Sequence, residues 1–320
     1  MKGVRLVLVL GCLAGCATAA GTATLADGRG GTFPILSLTY PTRPQAVEQP
    51  GIVTGDLSLP AGHDRVPAVI VLHSCAGVTP EIADWARALN SMGYAALVVD
   101  SFTARGVTEV CTGHQSVNPG SRLADLFRAQ ELLITHPRVD PQRVGVLGFS
   151  YGGWIALWAS HDWYQRRFMR GSVPPPAAYA AFYPAGCNVR LLQEADVRAP
   201  VRIFHGTADD WMTIDHCREW VARRRAVGQD VSLVEYESAL HGFDVSRYDR
   251  PRRLPKVVNS SGCTVFQQED GTFTEATGRR FTGASRCMTI GASIGYDARA
   301  HQQSMVDLQA FFERAFATRR

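Results

Sequence analysis

Three stretches of the chain hold residue types that can do chemistry together. They are a serine set among glycines in "GFSYGG" (Ser150), two adjacent aspartates in "HGTADDW" (Asp209, Asp210) and a histidine in "LHGF" (His241). A serine hydroxyl is a poor nucleophile until a base takes its proton. Histidine serves as that base when a carboxylate fixes its tautomer and steadies the imidazolium. The chemistry within reach is therefore acyl transfer: Ser150 attacks a carbonyl, His241 moves the proton, and Asp209 or Asp210 stands behind the ring. With 30 glycines and nine histidines in 320 residues, no single piece of this set is specific. Elements that carry all three residues to one place are what would make it so.

Such elements are legible. "PAVIVLHS", "YAALVVDSF", "RVGVLGFS", "AAYAAFYP" and "PVRIFHG" are continuous apolar runs, as expected of strands buried on both faces. Helical patterns lie between them. One opens at Thr79 as N-cap with Pro80 in the first turn and runs through Trp85 and Leu89 toward Gly93. A second runs from Ser121 through Phe127 and Leu132, and a third from about Thr213 through Trp220 to Gly228. This alternation predicts an α/β fold, a mostly parallel central sheet with helices on both faces. Ser150 then sits where a buried strand turns sharply into a helix, a turn in which glycines leave room for a cramped backbone. The aspartates follow "PVRIFHG" and His241 follows the strand "DVSLVEYE", so all three reach the carboxyl edge of the sheet, where open α/β sheets bind ligands.

The rest of the chain divides around this frame. Residues 1–20 read as a signal and 21–50 as a Gly-, Thr- and Pro-rich leader. Residues 51–320 read as one domain that begins with "GIVTGDLSLP" as an edge strand. From about 245 to 296 the alternation breaks down into an insertion with short polar strand-like pieces around Cys263 and Cys287. A closing helix, about Ala298 to Phe316, sets Met305, Leu308, Phe311, Phe312 and Phe316 on one face. There is no internal repeat.

The formal charge is +4, from 33 basic and 29 acidic residues spread along the chain. The short clusters Arg223–Arg225 and Arg250–Arg253 suit solvated faces, so a nucleic-acid partner is not indicated. The N-terminus has a basic start, an apolar stretch and then small residues, the pattern of an export signal. Leu13–Cys16 is similar to a lipobox, which predicts lipidation of Cys16 as the first mature residue; a cut within Ala17–Ala20 is the alternative. Either places the protein in the periplasm or tethers it to a membrane of a bacterial envelope, with the lipid as its only membrane contact. In an oxidising compartment the remaining six cysteines are expected to pair in order: Cys75 with Cys111, Cys187 with Cys217, and Cys263 with Cys287. No cysteine or histidine spacing suggests a metal.

"VLHSCAGV", "ALVVDSFTARG", "GFSYGG", "HGTADDW" and "LHGF", in this order and spacing, resemble the dienelactone hydrolase family of α/β-hydrolases, and more closely its exported bacterial branch. The resemblance covers about Gly55 to Asp244 and the final helix. It implies an α/β-hydrolase fold with no metal or organic cofactor. It makes Asp209, three residues after Gly206, the acid, with Asp210 second, and assigns the oxyanion-binding N–H groups to Cys75 and Tyr151. A Cys75 disulfide would stiffen that loop. The enzyme that named the family uses a cysteine nucleophile; Ser150 here points instead to ordinary ester or lactone hydrolysis through an acyl-enzyme. Arg105, at the same sheet edge, is a candidate for binding a substrate carboxylate, or else a brace to Asp100. Trp211 is a candidate for lining or covering the pocket, and the Tyr151 side chain for lining it or packing beneath. The rival readings are a peptidase or acyltransferase on the same fold and a non-catalytic envelope binding protein that uses the insertion.

Overall fold

A computed structural model describes residues 25, 28–39, 49–113, 117–192 and 197–318; the expected signal, with Cys16, lies outside the described residues. Two strands precede the apolar runs, β1 (Gly31–Thr39) and β2 (Gln49–Ser58). The runs form β3 (Val66–Leu72), β4 (Ala95–Asp100), β5 (Val139–Phe149), β6 (Ala178–Phe182) and β8 (Val201–Gly206), and "DVSLVEYE" forms β9 (Val231–Tyr236), with a two-residue β7 (Val189–Arg190) outside their sheet. The sheet order is β1-β2-β4-β3-β5-β6-β8-β9. The pairs β1/β2 and β2/β4 are antiparallel and the other five parallel, which makes the sheet mostly parallel, as the alternation predicts.

Alternate residues of each strand feed two cores, because successive side chains point to opposite faces. Ile70, Val146 and Ile203 pack on one face under α2 (Pro119–Leu133), α3 (Tyr151–Ala159), α4 (Asp162–Phe168) and α5 (Ile214–Ala226). Val71, Leu147 and Phe204 pack on the other under α1 (Pro80–Ser91) and α6 (Ala298–Ala317). In α6, Leu308, Phe311, Phe312 and Phe316 are buried and Met305 partly so, the face read from the sequence.

Some boundaries differ from expectation. Residues 31–39 of the expected leader are β1, paired with β2 along its whole length, so β1 and not β2 is the edge. Its alternation is masked by Pro34 and the exposed Leu36, yet Ile35 is buried and Ser37 donates to the buried Asp125 (2.5 Å). Helix α2 begins at Pro119 and not at Ser121, since the Asn118 side chain accepts from the Ser121 N–H and Pro119 occupies the first turn. Pro80 opens α1 as expected, but Thr79 makes no side-chain capping bond.

The insertion is docked onto the fold. Its β10 (Arg252–Asn259) and β13 (Thr289–Ile294) form an antiparallel ladder, while β11 (Val265–Gln267) pairs with β12 (Phe273–Glu275) and, in parallel, with β7. Val257, Cys263, Val265 and Ala292 join the helix-covered core. All three expected cysteine pairs are bonded: Cys75–Cys111, Cys187–Cys217 and Cys263–Cys287.

Candidate active site

Strand β5 delivers Ser150 to the carboxyl edge, and the chain reverses there into α3. Ser150 takes φ 51° and ψ −107°, a conformation that costs a non-glycine residue energy and persists only where the surroundings fix it. Its N–H donates to Phe182 O of the neighbouring strand. The flanking glycines are a steric requirement: a Cβ on Gly148 would lie 2.1 Å from Gly152 O, and one on Gly152 would lie 2.1 Å from Leu72 O. The turn can therefore press against β3 only with hydrogens at these positions.

Strands β8 and β9 supply the partners. His241 Nε2 is 3.0 Å from Ser150 Oγ, and His241 Nδ1 is 2.8 Å from Asp209 Oδ2. The other Asp209 oxygen accepts from the Trp211 and Met212 N–H groups, both at 2.8 Å. Burial works against charge on Asp209, but His241 and these donors outweigh it and hold the carboxyl below its ordinary range. An ionised Asp209 accepting at Nδ1 sets the tautomer in which Nε2 faces Ser150 Oγ as an acceptor. Asp210 is turned away, accepting from Ser293 and pairing with Arg253 of the insertion. Of the two adjacent aspartates, Asp209 is the one in the chain of bonds.

The imidazole lies between two aromatic rings. Tyr183 approaches edge-on at 4.6 Å between centroids, and Trp211 is tilted at 4.7 Å. Trp211 lines the cleft, as expected, and its indole N–H donates to Val258 O of β10. Tyr183, at φ 35°, donates its hydroxyl to Asp244 Oδ1 (2.6 Å), and Trp85 donates its indole N–H to Asp244 Oδ2 (2.7 Å). Neither Tyr183 nor Asp244 stood out in the sequence. The strained tyrosine shows no local signature, and Asp244 is one more polar residue after "LHGF".

The cleft above Ser150 has a volume of about 560 Å³, its open mouth included. Cys75 and Cys111 form part of one wall, and Val245, Arg247, Tyr248, Leu254 and Ile294 of the insertion form another. The insertion therefore shapes the site, a role its polar sequence did not reveal. Cys75 lines the same cleft as Ser150. Tyr151 follows Ser150 at the start of α3, but its side chain packs beneath the site: it is buried, and its hydroxyl donates to Val117 O.

Arg105 does not serve the cleft. Its guanidinium grips both oxygens of Asp125 (2.7 and 2.8 Å) and donates to Ser101 O. It is a brace, as one reading had it, but to Asp125 on α2. Asp100 instead accepts from the Phe102 and Thr103 N–H groups and closes its own turn.

Known proteins share this arrangement of elements. A model described as "Dienelactone hydrolase family" matches residues 53–316. A Methylorubrum extorquens protein named "Putative carboxymethylenebutenolidase" is 28% identical over 215 residues, 61% of this chain and 69% of that one. A Synechocystis protein of the same name is 30% identical over 146 residues, 42% of this chain and 54% of its own length. The crystal structure named "Putative Dienelactone Hydrolase" from Klebsiella pneumoniae shares the fold over 88% of this chain and 99% of its own, with a TM-score of 0.53 at 18% identity. With a family match over most of its length and the fold to accompany it, the chain belongs to the dienelactone hydrolase family and is a hydrolase of that family.

Proposed function

We propose that the protein is an exported serine hydrolase that cleaves a carboxylic ester or lactone through an acyl-enzyme on Ser150. The observation that carries this reading is the unbroken chain Ser150 Oγ, His241 Nε2, His241 Nδ1, Asp209 Oδ2, with contacts of 3.0 and 2.8 Å. His241 takes the Ser150 proton as Oγ bonds to the substrate carbonyl carbon. The resulting oxyanion is met by the N–H groups of Cys75 and Tyr151. Collapse breaks the bond to the alcohol oxygen, which leaves with the proton from His241. Water, deprotonated by His241, then releases the acid and restores Ser150. In a lactone the leaving hydroxyl stays tethered to the acyl group throughout, so the second step releases a single hydroxy acid from Ser150.

Export is supported by the signal-like leader with its candidate lipid site at Cys16, and by three cysteine pairs of a kind that persists outside the reducing cytosol. A diacylglyceryl-modified mature N-terminus at Cys16 is the expected product; an unmodified one after Ala19 or Ala20 would contradict lipidation. The substrate class is tested by turnover of p-nitrophenyl esters, simple lactones and short peptides by the oxidised protein, with Ser150→Ala as control. Ester or lactone turnover lost in the control supports the reading. Turnover of peptides alone would replace it with a peptidase.

A further inference from the structure

A buried charge behind the site is left unexplained by the triad. Arg122, on α2, is fully buried, and among the described residues no carboxylate pairs with it. The nearest acid along its helix, Asp125, gives both oxygens to Arg105. Of the Arg122 donors, Nη2 binds His73 O at 2.7 Å, while Nε and Nη1 have no hydrogen-bond partner among the described residues. The guanidinium instead lies over two rings, Tyr151 at 4.8 Å and Phe102 at 5.4 Å from the centroids. Ring faces repay part of the cost of burying a cation, and the carboxylates that act on it, Asp125 and Asp100, do so without a direct bond.

Its contacts fall on the two segments that bear the assigned oxyanion donors. His73, whose carbonyl it holds, is two residues before Cys75, and Tyr151 is the other donor residue. The His73 ring completes this anchorage: Nδ1 is 2.7 Å from Ser74 O, and Nε2 accepts from the Ser101 N–H. Burial, with the Arg122 charge, pushes that imidazole down to about 3, so it adds no charge of its own. Burial also lowers Arg122, to about 10, which leaves it protonated at neutral pH.

We infer that Arg122 is a positioning residue for the oxyanion site, clamping the Cys75 and Tyr151 segments together and placing a buried positive charge, bonded to no carboxylate among the described residues, behind the anion that forms in the transition state. This inference rests on the proposed serine mechanism. A fixed charge in a dry interior acts on a developing anion far more than on a neutral ester, so its loss should fall on kcat.

The test uses Arg122→Met, which keeps length and loses charge, and Arg122→Gln, which can still hydrogen-bond His73 O without charge. The readouts are kcat and KM on a p-nitrophenyl ester, the affinity of a boronic acid that forms an anionic tetrahedral adduct on the serine, and thermal unfolding. For Arg122→Met the expected result is a kcat about 10- to 100-fold lower, KM within about twofold, and boronate affinity weakened in step with kcat. Arg122→Lys should recover part of both. If Arg122→Met does not fold, Arg122→Gln decides by the same comparison of boronate affinity with KM. A folded neutral variant with unchanged kcat and boronate affinity overturns the inference, as does an equal loss in Met and Lys variants that follows stability alone. Failure of the wild type to bind the boronate and turn over the ester would overturn the serine mechanism, and the inference with it.

Discussion

Two buried aspartates lie near His241, Asp209 bonded to its ring and Asp244 bonded to the Tyr183 that packs against it, yet they are held in opposite ways. On the β8 side, Asp209 receives two backbone N–H groups and the imidazole Nδ1, and these hold its carboxyl low despite burial. Asp244 receives two neutral side-chain donors, Tyr183 and Trp85, and burial prevails over them, pushing its carboxyl up. Burial is common to the two, so the donors decide. A turn that aims backbone N–H groups and a histidine at a carboxylate keeps it charged and able to steady an imidazolium. A pocket of neutral donors makes a prop, and Asp244 props the Tyr183 ring that walls one side of His241.

This contrast can be broken most forcefully at Asp209. Asp209→Asn should lower kcat by roughly 10³- to 10⁴-fold, because the amide no longer enforces the productive tautomer. Ester turnover measures this, and a variant with a tenth of wild-type kcat would end the distinction. Asp244→Ala comes next. Leaving the Tyr183 hydroxyl and Trp85 indole unpaired should cost about 2–4 kcal/mol in urea unfolding, with kcat reduced less than by Asp209→Asn. A loss of activity as severe as that of Asp209→Asn, in folded protein, would make Asp244 a working acid.

The smallest effect lies in the pH dependence of stability. The Asp209 carboxyl is depressed in the folded state, so its contribution is present at neutral pH and is lost as pH falls through that lowered value. The Asp244 carboxyl is raised, so its contribution is full at acid pH and declines as pH rises toward the raised value. Asp244→Asn can keep a hydrogen bond to each side chain, its amide oxygen accepting from Trp85 and its NH₂ donating to the Tyr183 oxygen. It should gain stability relative to wild type as pH rises from acid to neutral. A stability difference that stays flat with pH would contradict the assignment.

The convergence of Ser150, Asp209 and His241 was legible because each closely follows a recognisable strand, and such strands give away the edge they point to. The order of Ser150, Asp209 and His241 then needed only one parallel sheet to bring them together. Partners set by tertiary docking left no such trace. Arg105 finds Asp125 twenty residues away on α2, and Asp100, its nearer candidate, is consumed by its own turn. The cleft wall from the insertion depends on β10 pairing with β13 and lying against Trp211, contacts between short strands with no strong period. Strand β1 was hidden because Pro34 and an exposed leucine blur a two-residue rhythm that its pairing with β2 makes plain.

The central claim is that Ser150 is a nucleophile activated by His241. Incubating the oxidised protein with a fluorophosphonate and mapping the adduct by mass spectrometry tests it most directly. The predicted result is one adduct, on the peptide that contains Ser150, absent from Ser150→Ala and formed far more slowly by His241→Ala. Folded wild-type protein that takes no label, or takes it at another residue, would contradict the account.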